Sequence, residues 1–255
     1  MLKHIRPLIP SHSLYTEAFA GGLAVLFDKE PVEVEVINDL NVELINFYET
    51  CVTDFEALKY EVDKTLHSRA QHEHAWYIYN NPSFFSNVQR AWAVWVLSKM
   101  GFAGQLSNSF GFDKSKSRHP KKIGNAKEAF NDDLRARLST LTIEHDDALK
   151  IIKRYDIPEA FHFVDPPYVG SNMGHYSNMF NDSNLRDLLD LLTTVKGKFM
   201  LTMYPNEVIQ SYVNKHGWSI EKVNRQVSAC KAESRRIQEE WMVMNYSLQE
   251  LANVA

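Results

Sequence analysis

The stretch LYTEAFAGGLAVLFDKEPVEVEVIND, residues 14–39, carries the strongest signals for the fold class. Residues 14–19 are rich in apolar side chains and run into Ala-Gly-Gly at 20–22, the pattern of a strand that ends at a glycine turn. Residues 23–29 then indicate a helix that closes before Pro31, and 32–37 alternate apolar and acidic side chains as strands do. This order predicts parallel strands joined by a crossover helix.

The alternation of strands and helices returns in the last third of the chain. We predict strands at 160–164, 199–203 and 240–246, with a helix at 185–192. Together with the opening stretch, they predict an α/β fold with a mainly parallel, doubly wound sheet. The intervening residues are helix-rich and then loop-rich, so we predict an insertion at 56–139 within a sheet domain formed by 1–55 and 140–255.

Local signals predict where two of the helices begin. Asn41 is a suitable N-cap for the helix after the second strand, and Ser83 for a later helix that Gly101 would stop. The later helix carries Trp92 and Trp95 at the spacing of a buried face, which favours a core role for them over stacking on bases. Residues 104–124 are polar, basic and glycine-containing, and we predict a loop there.

The composition is that of a globular chain, with 44 % hydrophobic and 24 % charged residues among 255. No apolar run approaches the roughly 20 residues of a membrane helix, and residues 1–7 lack the apolar core of a signal peptide. Cys51 and Cys230 are far apart and follow no metal-ligand spacing, which predicts a reduced, cytoplasmic setting. His72 and His74 would not share a helix face, so we predict a polar surface there and no metal site.

Positive charge is concentrated in one segment, although the formal net charge of the chain is −4. Between residues 110 and 127, six cations stand against one anion. The candidate contacts to a polyanion are Lys114, Lys116, Arg118, Lys121 and Lys122. A basic segment on an otherwise acidic chain suits a polyanion that is held at one place, but the charge alone favours a solvated, mobile loop.

The glycine turn and Asp39 form the first candidate binding site. The turn lets a ligand approach the backbone, and an acidic residue that ends the second strand can accept both hydroxyls of a ribose. The turn lacks the G-x-G-x-x-G spacing that holds a pyrophosphate, which favours a nucleoside without phosphates. The candidate residues are Glu17, Phe19, Ala20, Gly21, Gly22 and Asp39.

The second candidate site is Asp165-Pro166-Pro167-Tyr168, directly after an apolar predicted strand. The lone pair of adenine N6 is delocalised into the ring, and two acceptors bound to its hydrogens can localise that pair. The Asp165 carboxylate and the Pro166 carbonyl would be these acceptors, since the prolines fix the backbone locally. Tyr168 offers a face on which a base can stack. The pattern indicates catalysis by orientation and electrostatics, without a metal.

These motifs resemble those of the DNA adenine methylase (Dam-like) family of N6-adenine-specific, S-adenosylmethionine-dependent DNA methyltransferases. The E-P-F-x-G-G turn of that family corresponds to residues 17–22, its N-D-x-N to 38–41, and its D-P-P-Y to 165–168. Its D-A-L-x-x-I segment matches 147–152. The resemblance covers about residues 8–246 and is weakest in the middle.

The resemblance implies methyl transfer from S-adenosylmethionine to an adenine flipped out of a specific sequence in double-stranded DNA. It implies a Rossmann-like catalytic domain with an inserted target-recognition domain, in which the basic segment contacts DNA. Residues 165–168 would bind the base, Asp165 would also border the cofactor, Asp39 would hold its ribose and Asp147 its adenine. A restriction–modification role in the cytoplasm of a bacterium or phage-infected cell is implied as well.

Two departures from the family pattern leave an alternative open. The chain starts at Met1-Leu2-Lys3-His4, about where the family has the helix after a G-G-K segment that closes over the cofactor, and G-G-K is not found. Ala18 and Leu23 also replace a proline and a small residue. The alternative is a catalytically weakened or inactive DNA-binding relative. A methyltransferase acting on RNA or a protein amide is disfavoured, because protein-glutamine relatives usually have Asn in place of Asp165.

Overall fold

The computed structural model of the chain describes residues 1–101, 106, 109–112, 118–169, 180–226 and 237–247. The chain divides into two compact units. The first unit combines Met1–Leu40 with Asp146–Ala255, and the second is the continuous segment Asn41–His145. The glycine turn and the Asp165 segment both belong to the first unit, whereas the basic segment belongs to the second.

Strands and helices alternate in the first unit, and helices dominate the second. The strands of the described residues are β1 (Leu14–Glu17), β2 (Val34–Asn38), β3 (Thr142–Glu144), β4 (Ala160–Val164), β5 (Lys198–Met203), β6 (Ser219–Gln226) and β7 (Ile237–Met244). The α-helices are α1 (Leu2–Ile5), α2 (Ala24–Asp28), α3 (Val42–Thr53), α4 (Phe55–Lys64), α5 (Arg69–Asn80), α6 (Asn87–Met100), α7 (Arg118–Glu128), α8 (Asp132–Ser139), α9 (Ala148–Arg154), α10 (Asp182–Leu192) and α11 (Glu207–His216).

The sheet of the first unit has the strand order β2-β1-β4-β5-β7-β6. β1 pairs in parallel with β2 and β4, and β4 pairs in parallel with β5. β7 runs antiparallel to both β5 and β6. The chain order reverses between β1 and β4, and in open sheets of this kind ligands bind beside the carboxyl ends of the strands at such a point. The predicted doubly wound α/β fold with a mainly parallel sheet is confirmed.

The central strands are apolar because they are covered on both sides. All residues of β1 and β4 are buried, including Tyr15 and Phe161, which is typical of parallel strands between layers of helices. α10 packs against this sheet through Leu188, in the same apolar cluster as Val164. The helix begins at Asn181, whose side chain accepts hydrogen bonds from the first-turn N–H groups and so satisfies them.

The second unit consists of α3 to α8 and the short strand β3. α3 packs against α6, and this contact places it in the second unit, so that the unit begins at Asn41 rather than near residue 56. Asn41 caps α3 as predicted, with its Oδ1 accepting hydrogen bonds from the N–H groups of Glu43 and Leu44.

The predicted start of the long helix in this unit is wrong. α6 is capped by Ser86, not Ser83, and Gln89 completes a reciprocal capping box with the Ser86 N–H. Ser83 lies instead in a 3-10 turn at Pro82–Phe84, where the proline fixes the local φ. Trp95 is buried as predicted, while Trp92 is partly buried and donates from Nε1 to the Thr65 hydroxyl.

The lengths of the described α-helices bear on whether any of them could span a membrane. α6 is the longest in the described part of the chain, with 14 residues, against the roughly 20 needed to cross a bilayer. Within the described residues, none of the helices combines the length and the apolar composition of a membrane span.

Candidate active site

A cavity of about 300 Å³ lies at the carboxyl ends of β1, β4 and β5, within the first unit. The two sequence motifs, which are far apart along the chain, meet in it. The glycine-turn residues that line it are Glu17, Phe19, Ala20, Gly21 and Gly22. Asp165 and Tyr168 line it from the second motif, together with Thr202 of β5 and Glu240 of β7. The volume is at the lower end of the range for small-molecule sites.

The glycine turn is held from the β2 side and open towards the cavity. Its backbone is left-handed at Gly21 (φ 48°) and, unusually for a side chain of this size, at Leu23 (φ 53°). The Gly21 N–H donates to Asp39 Oδ2 at 3.0 Å, which fixes the position of the turn. A Cβ atom added at Gly21 or Gly22 would meet no atom within 4 Å, so a ligand can approach this backbone closely.

Asn38 connects the glycine turn to the segment that precedes α9. This fully buried side chain donates from Nδ2 to the carbonyls of Ala18 at 2.9 Å and Asp146 at 3.0 Å. Its Oδ1 accepts from the Asp146 N–H at 2.8 Å. The contacts fix the start of α9, where Asp147 is located, relative to the turn.

The two predicted nucleoside-binding carboxylates lie outside the lining of this cavity. Asp39 is half-buried beside the turn and is engaged by the Gly21 N–H. Asp147 is exposed and caps α9, where its Oδ1 accepts from two first-turn N–H groups. Their proposed contacts with a ribose and an adenine stay predictions.

Glu17 ends β1 with a side chain that is only 2 % exposed. Its Oε1 accepts hydrogen bonds from the Tyr15 hydroxyl and the Leu26 N–H, each at 2.8 Å. Burial raises the pKa of Glu17 to about 8; the two donors oppose this rise, and the charge of Asp165 adds to it. Near neutral pH, the Glu17 carboxyl therefore holds a proton.

Asp165 follows β4 directly, and its carboxylate is accessible. The Thr202 hydroxyl of the neighbouring strand donates a hydrogen bond to its Oδ1. Pro166 is buried and Pro167 half-buried, so the chain after Asp165 is held against the protein. These contacts hold one carboxylate at the cavity. The role of Asp165 as an acceptor for an amino group stays a prediction.

Tyr168 brings an aromatic ring to the same edge. It meets Tyr204 edge-on, with ring centroids 4.5 Å apart. Burial, followed by the charges of Asp165 and Glu240, raises the pKa of Tyr168 far above its usual value near 10, so the side chain stays a neutral phenol. A neutral ring beside a carboxylate can hold a planar base and one of its amino hydrogens together.

Thr202 and Glu240 belong to the cavity but not to any sequence motif. Glu240 is 5 % exposed, and the one signal it leaves in the sequence is a charge within the apolar segment 240–246. Thr202 leaves no signal, because its contact with Asp165 depends on the pairing of β5 with β4.

The basic segment of the second unit is partly helical. Lys114 and Lys116 lie outside the described residues. Arg118, Lys121 and Lys122 are exposed on α7. The predicted loop at 104–124 is therefore wrong from residue 118 onwards, because Ile123 is buried and anchors a helix there.

Lys99 is a further cation of this unit that the sequence did not single out. It lies on α6, and partial burial together with the positive charge of Lys122 lowers its pKa.

No cluster suited to a metal ion occurs within the described ranges. His74 is exposed on α5, but His72 is buried on the inner face of that helix, against the ring of Phe110. The prediction of a polar surface at both histidines is wrong for His72, since a spacing of two turns the side chains to different faces.

Comparison with known proteins agrees with this geometry. A model of the D12 class of N6 adenine-specific DNA methyltransferases matches residues 1–229. The chain belongs to this family. The D12-class chain is also similar to the type II methyltransferase M1.LlaDCHI of Lactococcus lactis subsp. cremoris, with 25 % identity over 268 residues that cover 96 % of this chain and 91 % of the relative.

Family membership confirms the predicted activity class. The chain is an adenine-specific DNA methyltransferase, and its reaction is methylation of adenine N6 in DNA. Methyltransferases of this class use S-adenosylmethionine as the methyl donor, which makes the cavity beside the glycine turn the place to examine for donor binding.

Proposed function

We propose that this D12-class enzyme transfers the methyl group of S-adenosylmethionine to an adenine flipped out of a specific site in double-stranded DNA. The observation that carries the proposal is the meeting of the glycine turn and Asp165 in one cavity of the first unit. A donor placed against the turn and a base held by Asp165 would then be neighbours, as direct transfer requires.

The residues of the cavity suit the donor. When bound, S-adenosylmethionine supplies an electrophilic methyl carbon on a positively charged sulfur. The carboxyl groups of Glu17, Asp165 and Glu240 line the cavity, and so does Met1 at the start of the chain. The open backbone at the glycine turn allows close approach. Asp39 would hold the ribose and Asp147 the adenine amino group of the donor.

The target base would be oriented by the second motif. Asp165 Oδ and the Pro166 carbonyl would accept the two N6 hydrogens, so that the nitrogen lone pair points towards the methyl carbon. Thr202 restricts the Asp165 carboxylate through its hydrogen bond, and Tyr168 would stack on the base. The rate gain would come from orientation and from electrostatic stabilisation of charge on N6.

The second unit would supply contacts to the DNA backbone. Its exposed cations on α7 suit phosphates, which set much of the affinity and make it depend on salt. Lys114 and Lys116 would extend this contact. Base-specific readout would also belong to this unit, as the resemblance to an inserted target-recognition domain implies.

Product analysis tests the proposal directly. The purified chain is incubated with methyl-labelled S-adenosylmethionine and a duplex DNA of mixed sequence, and the digested nucleosides are separated. We expect the label in N6-methyladenine, at one sequence context. Label in N4-methylcytosine or in RNA alone would contradict the proposal. DNA binding without transfer at saturating donor would instead favour the inactive relative.

A further inference from the structure

Asn38 is a fully buried polar residue at the end of β2, and its side chain makes three hydrogen bonds to the backbone. Its Nδ2 donates to the carbonyls of Ala18 at 2.9 Å and Asp146 at 3.0 Å, and its Oδ1 accepts from the Asp146 N–H at 2.8 Å. One amide thus satisfies both backbone groups of Asp146, as a neighbouring strand would. Asn38 therefore joins two segments that are distant in the sequence.

The first of these segments is the glycine turn. Ala18 leads into the turn, and the Ala20 N–H donates to the backbone carbonyl of Asn38 at 2.8 Å. The residue after Asn38 holds the turn as well, since Asp39 Oδ2 accepts from the Gly21 N–H at 3.0 Å. The position of the turn is therefore set by the end of β2, through the backbone and the side chain of Asn38 together.

The second segment carries Asp147, the residue expected to bind the adenine of the donor. The Asp147 N–H donates to Asp146 Oδ1 at 2.8 Å, and the Asp147 carboxylate caps α9 through its own Oδ1. Lys150 and Arg154 of α9 each contact the Asp146 carboxylate at 3.1 Å. The position of Asp147 therefore follows that of Asp146, which the Asn38 amide ties to the glycine turn.

We infer that Asn38 is a positioning residue for donor binding, because its amide sets the spacing between the glycine turn and Asp147 before the donor binds. This inference rests on the proposed function. Adenosine covers a limited range of lengths between its ribose and its adenine amino group, so both ends bind together only if the two segments stand at a matching distance. A site that already has this distance in the free enzyme avoids the cost of ordering it on binding.

The inference separates donor binding from the chemical step. A bound donor spans both segments and holds them itself, so the step that follows should depend little on Asn38. Loss of the Asn38 amide should therefore raise the KM for the donor and leave kcat nearly unchanged, which is the pattern of a change in binding alone. A merely structural role would instead reduce the amount of active enzyme and lower kcat.

The kinetic constants of Asn38→Asp test the inference, since the change keeps the size of the side chain. The carboxylate can still accept from the Asp146 N–H, but its second oxygen faces two carbonyl oxygens and repels them. We expect the KM and the calorimetric Kd for S-adenosylmethionine to rise about tenfold. The kcat at saturating donor and DNA should stay within about twofold of the wild type.

Asn245→Asp is the matched control, because Asn245 makes the same kind of contact away from the proposed donor site. Its Nδ2 donates to the Gly197 carbonyl at 3.0 Å, and its Oδ1 accepts from the Phe199 N–H at 2.9 Å. These contacts lie at the amino end of β5, whereas the cavity lies at the carboxyl end. Asn245→Asp should lower the free energy of unfolding and leave the KM and the Kd for the donor at their wild-type values.

Three kinetic results would overturn the inference. They are a lower kcat of Asn38→Asp with an unchanged KM, no change in either constant, and an equal rise in KM for Asn245→Asp. If the wild type binds neither S-adenosylmethionine nor S-adenosylhomocysteine, the proposed function itself fails, which is a distinct result.

Amide hydrogen exchange of the wild type is a second test, which decides the matter if Asn38→Asp does not fold. Because Asn38 joins the two segments, the N–H groups of Ala20 and Asp146 should open together and exchange with similar protection. Bound S-adenosylhomocysteine should slow both exchange rates by a similar factor. Independent opening of the two N–H groups would contradict the positioning role.

Discussion

At Glu17, burial and two donated hydrogen bonds act on one carboxyl group in opposite directions. Burial is the larger effect and raises the pKa to about 8, above the usual 4.5. The folded protein therefore holds a proton on Glu17 across a pH range in which the unfolded chain has released it. The contribution of Glu17 to the free energy of unfolding is therefore fully present below pH 4.5, and it is lost as the pH rises towards 8.

Substitution of Glu17 by Gln should remove that dependence. We expect the free energy of unfolding of the wild type to fall more steeply between about pH 5 and 8 than that of Glu17→Gln, when both are measured by urea denaturation. The histidines contribute equally to both proteins, so the difference isolates Glu17. Glu221→Gln should keep the wild-type slope. Parallel curves for the wild type and Glu17→Gln would show that the carboxyl is ionised in the folded protein.

Individual site residues could be predicted where the chemistry is local in sequence. Asp165 and Tyr168 lie within one segment of four residues that follows a predicted strand and contains two prolines. These local features suffice to predict that both side chains lie at the carboxyl end of that strand. Glu240 and Thr202 could not be predicted in this way. Each reaches the cavity through strand order and register, which are properties of the folded sheet rather than of any short segment.

At the scale of elements, two glycines differ in what surrounds them. A Cβ atom at Gly197, just before β5, would lie 2.7 Å from the Ala160 carbonyl oxygen and 2.9 Å from that of Ile157. A Cβ atom at Gly124, within the regular helix α7, would meet no atom within 4 Å. The same substitution should therefore act in opposite directions at the two sites.

We expect Gly197→Ala to destabilise the protein by about 1–3 kcal/mol, because backbone atoms must move to admit the methyl group. Gly124→Ala should stabilise its helix by about 0.5–1 kcal/mol, since alanine loses less entropy there. Denaturation by urea, followed by circular dichroism, measures both. If both substitutions changed the free energy of unfolding equally, the backbone carbonyls of Ile157 and Ala160 would not lie close to residue 197 in the folded protein.

Element types were more predictable than element ends. The sequence places both ends of β1, β2 and β4 within two residues of the observed ends, because apolar strands between turns are strong signals. The start of α6 differs from the prediction because two serines compete for the cap, and only Ser86 is followed by Gln89 at the capping-box position. α7 was missed because its charges resemble those of a loop, with Ile123 alone marking a buried face.

At the scale of the whole molecule, the two units differ in the charge of their side chains. Acidic side chains line the cavity of the first unit, whereas exposed cations lie on α7 of the second. The division at Asn41 and His145 was not predictable to the residue, because the packing of α3 against α6 sets it and no linker composition marks it. The assignment of the second unit to target recognition stays a prediction.

Salt dependence tests that assignment. Replacing Lys121 and Lys122 together by Ala should weaken binding to duplex DNA and reduce the slope of log affinity against log salt by about two, one for each phosphate that is no longer neutralised. Donor binding should be unchanged. The matched control replaces Lys153 and Lys215, two exposed lysines of the first unit, by Ala. This control should keep the wild-type slope. If it lowers the slope as much as the Lys121 and Lys122 variant does, the cations of α7 have no special role in DNA binding.

The single-turnover rate of methyl transfer in Asp165→Asn, at saturating S-adenosylmethionine and DNA, tests the catalytic role of the Asp165 carboxylate most directly. We expect a rate lower by on the order of a hundredfold or more, because an amide cannot replace the carboxylate in orienting N6 and in stabilising its developing charge. Asp187→Asn, on the exposed face of α10, should react at the wild-type rate. A rate for Asp165→Asn within about threefold of the wild type would contradict this mechanism.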